Sequence, residues 1–297
     1  MLRTKLLTLS AVTAAAALSL TACAPSSSQG GGGDAAGSSS AGESTSSGSG
    51  ESLRIGIKFD QPGLGYREGS AQPTGFDTDV ARYVADKLGV AEKDIEWVQT
   101  PSANRENALE NGEVDMIFAT YSITDARKER VDFAGPYFVA GQDLLVRADD
   151  TAITGPESLE GKNLCSVTGS TSAQKIKDQF ASGVNLVEQG GYAECVTYLE
   201  SGQVDAVTTD DIILAGLAAA DANKGKFKVV GNTFTTERYG VGLPKDSERC
   251  EDINEAIKEM KDSGEWKKAL ESNTEGTGYT YDETLNSGED AEFEPCA

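Results

Sequence analysis

A seven-residue run, Leu109-Glu110-Asn111-Gly112-Glu113-Val114-Asp115, returns ninety residues later as Leu199-Glu200-Ser201-Gly202-Gln203-Val204-Asp205. In each copy the spacing predicts a helix that stops at glycine, the residue best suited to a left-handed C-cap. An apolar strand follows in each, Val114-Asp115-Met116-Ile117-Phe118 and Val204-Asp205-Ala206-Val207. A chain that repeats this junction is built from two lobes of like construction rather than one large domain. The flanking patterns agree. Leu53, Ile55, Ile57 and Phe59 alternate with polar or small residues as a strand does. Phe76, Val80, Tyr83, Val84 and Leu88 recur at helical spacing and end at Gly89. Further strands are expected at 95–98, 163–167, 184–187 and 226–230, and helices at 172–180, 211–220 and 250–270. A short helix capped by Thr124 is expected to run through Arg130. Alternating strands and helices indicate α/β lobes with mainly parallel sheets.

The N-terminus points out of the cytoplasm. Arg3 and Lys5 precede an apolar stretch from Leu6 to Leu18, too short to span a bilayer comfortably, and then Leu20-Thr21-Ala22-Cys23. Residues 1–22 read as a signal peptide, and Leu-Thr-Ala-Cys is similar to the lipobox of bacterial lipoproteins, which implies cleavage before Cys23 and lipidation of its thiol. Residues 24–52 are almost only Ser, Gly, Ala, Pro, Glu, Asp, Thr and Gln. They cannot form a core, and read as a flexible tether from Cys23 to residue 51 with an r.m.s. reach of roughly 30 Å.

Charge and composition narrow the function. The chain has 26 basic and 48 acidic residues, a formal charge of −22, and no histidine. The missing histidine excludes Ser-His-Asp and Cys-His catalysis and His-ligated zinc. The acidity argues against nucleic acid, which needs a basic footprint. Cys165, Cys195, Cys250 and Cys296 remain after Cys23. Four cysteines in an exported chain suggest two disulfides, with three possible pairings. They lack the CxxC spacing of a zinc site, and no metal or cofactor is expected.

Five segments resemble family 3 of the extracellular solute-binding proteins, the polar amino-acid receptors of ABC importers. The first is Gly75-Phe76-Asp77-Thr78-Asp79-Val80-Ala81. The second is Ser122-Ile123-Thr124-Asp125-Ala126-Arg127, with Val131-Asp132-Phe133 and Pro136-Tyr137 beyond it. Thr168-Gly169-Ser170-Thr171 is the third. Gly202-Gln203-Val204-Asp205-Ala206-Val207 with Asp210 is the fourth, and Tyr239-Gly240-Val241-Gly242-Leu243-Pro244-Lys245 the fifth. They stand in family order between residue 52 and about 272. The run Gly56-Ile57-Lys58-Phe59-Asp60-Gln61-Pro62 resembles the acidic amino-acid branch, most closely the glutamate-binding lipoproteins of actinobacteria.

The resemblance implies a type II periplasmic-binding-protein-like fold, two lobes joined by two β-strand crossings near 138–141 and 233–238. The first lobe would comprise 52–140 and 239–297, the last part including a C-terminal tail, and the second 141–238. Lobe membership then favours the pairs Cys165–Cys195 and Cys250–Cys296, the latter fastening the tail to the last helix. Arg127 matches the residue that holds the ligand's α-carboxylate, a task suited to a planar guanidinium. Ser122 and Thr171 would assist from the two lobes. Asp210 matches the acid that pairs with the α-ammonium, with its neighbour Asp211 as the alternative, and Thr120 would add a backbone carbonyl. Cationic amino-acid binders of the family place an acid where this chain has Lys58. The reversed charge implies an anionic ligand side chain, with Arg67 reaching the same carboxylate. Residue chemistry does not separate glutamate from aspartate or glutamine; that choice rests on the branch. A monomer delivering its ligand to a permease, with no enzymatic activity, is the expected function. Sensing for a membrane kinase is the alternative.

Overall fold

The computed structural model describes residues 52–179 and 183–296. The expected signal peptide, lipidation of Cys23 and tether lie outside the described residues.

The chain first lays down β1 (Leu53–Ile57), a small hairpin of β2 (Asp60–Gln61) and β3 (Gly65–Tyr66), α1 (Phe76–Lys87) and β4 (Ile95–Gln99). It continues through α2 (Arg105–Glu110), β5 (Met116–Phe118), the one-turn α3 (Asp125–Lys128) and β6 (Asp132–Ala140). It then passes into β7 (Gln142–Arg147), β8 (Asn163–Val167), α4 (Thr171–Gln179) and β9 (Asn185–Gln189). Next come α5 (Tyr192–Glu200), β10 (Ala206–Asp210), α6 (Asp211–Ala219) and β11 (Phe227–Val229). The return strand β12 (Glu237–Leu243) leads into α7 (Cys250–Asp262) and α8 (Glu265–Thr274).

Two five-stranded sheets result, ordered β4-β1-β5-β12-β6 and β11-β7-β10-β8-β9. They are mixed rather than mainly parallel. In the first, β1 runs parallel to β4 and β5, whereas β12 is antiparallel to β5 and β6. In the second, β8 runs parallel to β9 and β10, whereas β7 is antiparallel to β10 and β11. The antiparallel strands are those at the passage between the sheets: β6 and β12 lie side by side and run in opposite directions in the first sheet, and β7, which follows β6, runs against its neighbours in the second. The pairing of β6 with β12 extends to Glu237 opposite Ala140, at the edge of the passage. Each sheet with its helices forms one lobe.

The repeated run has a matching role in each lobe. Gly112 and Gly202 take φ of 65° and 75°. The aspartate ending each copy then pairs with the lobe's first parallel strand. Asp115 accepts the Arg54 N–H at 2.8 Å while its own N–H donates to Arg54 O at 2.8 Å. Asp205 accepts the Asn163 N–H at 2.8 Å and donates to Asn163 O at 2.7 Å.

Helix α1 buries Phe76, Val80, Ala81, Val84 and Ala85 against the first sheet, whose Leu53, Ile55 and Ile57 are also buried. Each large apolar side chain contributes about 1.5–3 kcal/mol by leaving water. Trp266 of α8 closes this core edge-on to Phe76, with centroids 5.8 Å apart, and its indole N–H donates to Tyr137 O at 2.7 Å. The expected single helix over 250–270 is two helices. Gly264 adopts φ 81°, which turns the chain so that Trp266 can face Phe76.

Both disulfides join the pairs that lobe membership favoured, Cys165–Cys195 and Cys250–Cys296. The second fastens a C-terminal strap that runs behind the crossing strands. Asn286 both accepts the N–H of Val139 and donates to its carbonyl, each at 2.9 Å. Glu294 N–H donates to Gly135 O at 2.7 Å, and Arg238 Nε to Asp290 O at 2.7 Å. Further up the strap, Tyr279 OH lies 3.5 Å from Asp211 Oδ1 of the second lobe.

Burial pushes the Asp211 carboxyl up to about 6 from an ordinary 3.8. An acid whose folded pKa is raised binds more protons folded than unfolded between those values, so its share of stability falls as pH rises from about 4 to about 6. Asp77, also pushed up to about 6 by burial, acts in the same direction. Ligand-free protein is therefore expected to melt higher at pH 5 than at pH 7. Asp211→Asn, which keeps an acceptor for Ile212 N–H and Tyr279, is expected to shrink that difference by a few degrees in thermal melts. An unchanged difference would show that Asp211 is not the titrating group.

Candidate functional site

The seam between the lobes is lined from the first lobe by the loops after β1, β4 and β5. These are carboxyl ends of parallel strands, where α/β sheets present ligand-binding groups. Three buried cations gather there. Lys58, one residue beyond β1, is 2% exposed, and its Nζ lies 3.3 Å from Ser102 Oγ, 3.8 Å from Asp60 Oδ1 and 5.6 Å from the Tyr192 ring centre. Burial pulls its pKa down, and the nearby Asp60 carboxylate opposes the shift.

Arg127 is placed by α3. Thr124 is extended, and its hydroxyl accepts the Arg127 N–H at 3.3 Å, an N-cap that starts the turn. The guanidinium donates to Ser122 O at 2.6 Å and, across the seam, to Gly169 O at 3.0 Å. Glu106 Oε1 stands 3.2 Å from its Nε. Burial pulls this guanidinium down to about 10, helped by repulsion from Arg105, so it stays charged at neutral pH.

Arg105 is the third cation, and the sequence reading missed it. It opens α2, is 2% exposed, and donates to Ala119 O at 2.8 Å. Arg105 and Arg127 both stack on Tyr121, at 4.1 and 4.9 Å. The Arg105 Nε and the Tyr121 hydroxyl have no partner, although both are buried. In sequence Arg105 sits in a polar run resembling a solvated helix face. The signal that would have found it is its place just after a parallel strand.

The opposite side is anionic. Asp210 ends β10 and is 3% exposed. One carboxylate oxygen accepts from Tyr239 OH at 2.5 Å, and the other, Oδ1, is buried without a partner. Burial drives its pKa well up, and repulsion from Glu237 adds to this. Asp211, the alternative, turns instead toward Tyr279 and a separate cavity of about 530 Å³. Glu237, also missed by the sequence reading, is 2% exposed and binds Lys175 Nζ at 2.5 Å, Thr235 Oγ1 at 3.1 Å and Thr171 Oγ1 at 3.0 Å.

The hydroxyl residues span the gap. Ser170 caps α4 by accepting the Ala173 N–H at 3.0 Å, which leaves Thr171 facing the seam. Thr171 Oγ1 lies 3.3 Å from Ser122 Oγ of the other lobe. Thr120 adopts φ 44°, a strained conformation for a β-branched residue that recurs at ligand sites. Asp77 holds it by accepting its N–H at 2.9 Å, and its hydroxyl lies 3.2 Å from Gln61 Nε2.

Arg67 is not brought to this site, contrary to the expectation from sequence. Its N–H donates to Phe59 O, completing the hairpin turn, and this carries the side chain outward. The guanidinium stacks on Phe59 at 4.7 Å and donates to Gly69 O at 3.2 Å. Thus Lys58, Thr120, Ser122, Arg127, Thr171 and Asp210 line the seam with Arg105 and Glu237. Among the described residues no group of three or more Cys, Asp or Glu is arranged to hold a metal ion.

This arrangement, cations on one wall and a carboxylate with one unpartnered oxygen on the other, suits a small zwitterion with an additional anionic group. Residues 53–274 match the bacterial extracellular solute-binding proteins, family 3. The glutamate-binding protein GluB of Corynebacterium efficiens is 48% identical over 233 residues, which cover 75% of this chain and 78% of that protein. The glutamine-binding protein of Geobacillus stearothermophilus is 39% identical over 196 residues, covering 66% and 73%. Among solved structures, an ancestral arginine-binding protein bound to glutamine aligns with a TM-score of 0.69 at 36% identity, covering 75% of this chain and 97% of that one.

Proposed function

Because the chain belongs to family 3 of the bacterial extracellular solute-binding proteins, we propose that it captures L-glutamate between its lobes and delivers it to the permease of an ABC importer. The observation that carries this reading is the buried Asp210 Oδ1, without a partner, facing a seam that also holds Lys58, Arg105 and Arg127. An ammonium placed against that oxygen satisfies it and draws the raised Asp210 pKa back down. Arg127, with Ser122 and Thr171, takes the α-carboxylate. Lys58 and Arg105, beside Ser102, take the side-chain carboxylate, and the Thr120 carbonyl joins Asp210 at the ammonium. Similarity to GluB supports glutamate over aspartate.

Buried charges need partners of opposite sign, and here the ligand supplies both signs. Remote surface acids count for little in capture, since the Debye length at physiological salt is about 8 Å. The protein acts as a monomeric receptor on the extracytoplasmic face, anchored by lipid on Cys23, and performs no chemistry on its ligand.

A thermal-shift panel of the twenty amino acids tests the reading. L-Glutamate is expected to give the largest rise in melting temperature, because a ligand that binds only the folded state stabilises it by mass action. A larger rise with glutamine or aspartate would correct the ligand. Turnover of any amino acid would overturn the assignment as a receptor, and retention of a Cys23→Ala variant on the membrane would remove the lipid anchor.

A further inference from the structure

Helix α5 begins without a cap of its own. Its N-cap residue, Gly191, is extended and offers no side-chain acceptor to the free N–H groups of the first turn. The acceptor comes from the other lobe. Asp60 Oδ2, in the β2 hairpin, accepts the N–H of Tyr192, the first residue of α5, at 2.9 Å. A Cβ on Gly191 would stand 2.6 Å from that oxygen, so glycine is what lets the carboxylate approach. Asp60 Oδ1 meanwhile lies 3.8 Å from Lys58 Nζ, and the Tyr192 ring lies 5.6 Å from the same ammonium. Cys195, bonded to Cys165, ties α5 to β8 of the second sheet, so the helix travels with its lobe.

We propose that Asp60 is a positioning residue that caps α5 in trans, completing the helix only when the lobes are shut and fixing Lys58 in the same step. The proposal rests on the reading of the seam as the amino-acid site. Opening the lobes separates Asp60 from Tyr192 and leaves the start of α5 uncapped. The cap therefore favours the closed state specifically and slows ligand escape, while first encounter with the open cleft is little changed.

The test uses the full chain in five forms: wild type, Asp60→Ala, Asp60→Asn, Gly191→Ala and the double variant Asp60→Ala/Gly191→Ala. Calorimetry gives Kd for L-glutamate and stopped-flow fluorescence gives kon and koff. Asp60→Ala is expected to raise Kd about five- to tenfold, almost wholly through koff, as the loss of one helix cap implies. Gly191→Ala is expected to weaken binding to a similar degree by pushing the carboxylate away, yet to add little in the double variant. Asp60→Asn, which retains an acceptor oxygen but not the charge, is expected to bring koff back to within about twofold of wild type. Additive single effects, or a change confined to kon, would overturn the trans cap. An Asp60→Asn variant as weak as Asp60→Ala would show that the carboxylate acts on Lys58 by charge alone, and would also overturn it. Unchanged binding in Asp60→Ala with a wild type that binds glutamate removes the latch alone. A wild type that binds no amino acid removes the reading of the seam and the latch with it.

Discussion

Arg127→Ala is expected to weaken glutamate binding by roughly two to three orders of magnitude. The guanidinium is the one charged group proposed for the ligand's α-carboxylate, and it is 8% exposed, so water does not replace it readily. Removing one partner of a buried, hydrogen-bonded charge pair typically costs about 2–5 kcal/mol, and each 1.4 kcal/mol is tenfold in Kd. A second cost falls on the protein, because Glu106, which faces Arg127 at 3.2 Å, is left beside the incoming carboxylate without its counter-ion. Arg127→Lys keeps the charge but loses the fork that reaches Ser122 O and Gly169 O together, and an intermediate loss is expected. Ligand chemistry then separates local from general damage. Wild type is expected to reject the α-amide of glutamate, whereas Arg127→Ala is expected to bind the acid and the amide about equally weakly. Calorimetry that finds glutamate affinity intact in Arg127→Ala would end the assignment. A variant that still discriminates strongly against the amide would move the α-carboxylate to another cation, with Arg105 the nearest candidate.

The two-lobe plan was legible because its signals are local. The repeated run ends in an aspartate that each lobe uses in the same way, hydrogen-bonded to the backbone of its first parallel strand. Helix α1 shows itself through the spacing of Phe76, Val80 and Val84, and Asn163–Val167 through a short apolar run between polar flanks. What failed to show depended on contacts between distant segments. The break at Gly264 hides in an otherwise continuous amphipathic pattern, because only the position of Phe76 explains why the chain turns there. The antiparallel halves of the sheets come from the strands at the passage between them, β12 against β5 and β6 in one sheet and β7 against β10 and β11 in the other, which periodicity does not record. Arg105 and Glu237 look like ordinary solvated charges in their local runs, and their burial follows from what the other segments bring to the seam. Arg67 shows the reverse case. A cation immediately beyond the Gly65–Tyr66 strand is close in sequence to Lys58, but the hairpin hydrogen bond to Phe59 O sends it outward. Asp210 and Asp211 differ by one position at a strand-to-helix junction. The junction turns the first toward Tyr239 in the seam and the second toward Tyr279.

Lys58→Glu is expected to abolish the preference for an anionic side chain, with glutamate affinity falling by about two orders of magnitude or more. Two unit charges about 4 Å apart interact by about 4 kcal/mol at an effective dielectric of 20. Reversal removes an attraction of that order and substitutes a repulsion, only part of which side-chain rearrangement relieves. The new carboxylate would also face Asp60, now 3.8 Å from the lysine ammonium, which concentrates negative charge where the ligand's side chain is proposed to end. Lys58→Met separates the two contributions. It retains length and burial at a site only 2% exposed, and is expected to lose less than the charge reversal while admitting glutamine relatively better. Arg105 accounts for the binding that remains in the methionine variant, because it is buried in the same wall with an unpartnered Nε. Combining Lys58→Met with Arg105→Met is accordingly expected to remove discrimination between glutamate and glutamine. The decisive measurement is calorimetry with glutamate, glutamine and arginine on each variant. Glutamate affinity unchanged in Lys58→Glu would mean that the ammonium serves only Asp60 and Ser102 and never meets the ligand. A rise in arginine affinity would show that this one position sets the sign of the side chain the seam accepts.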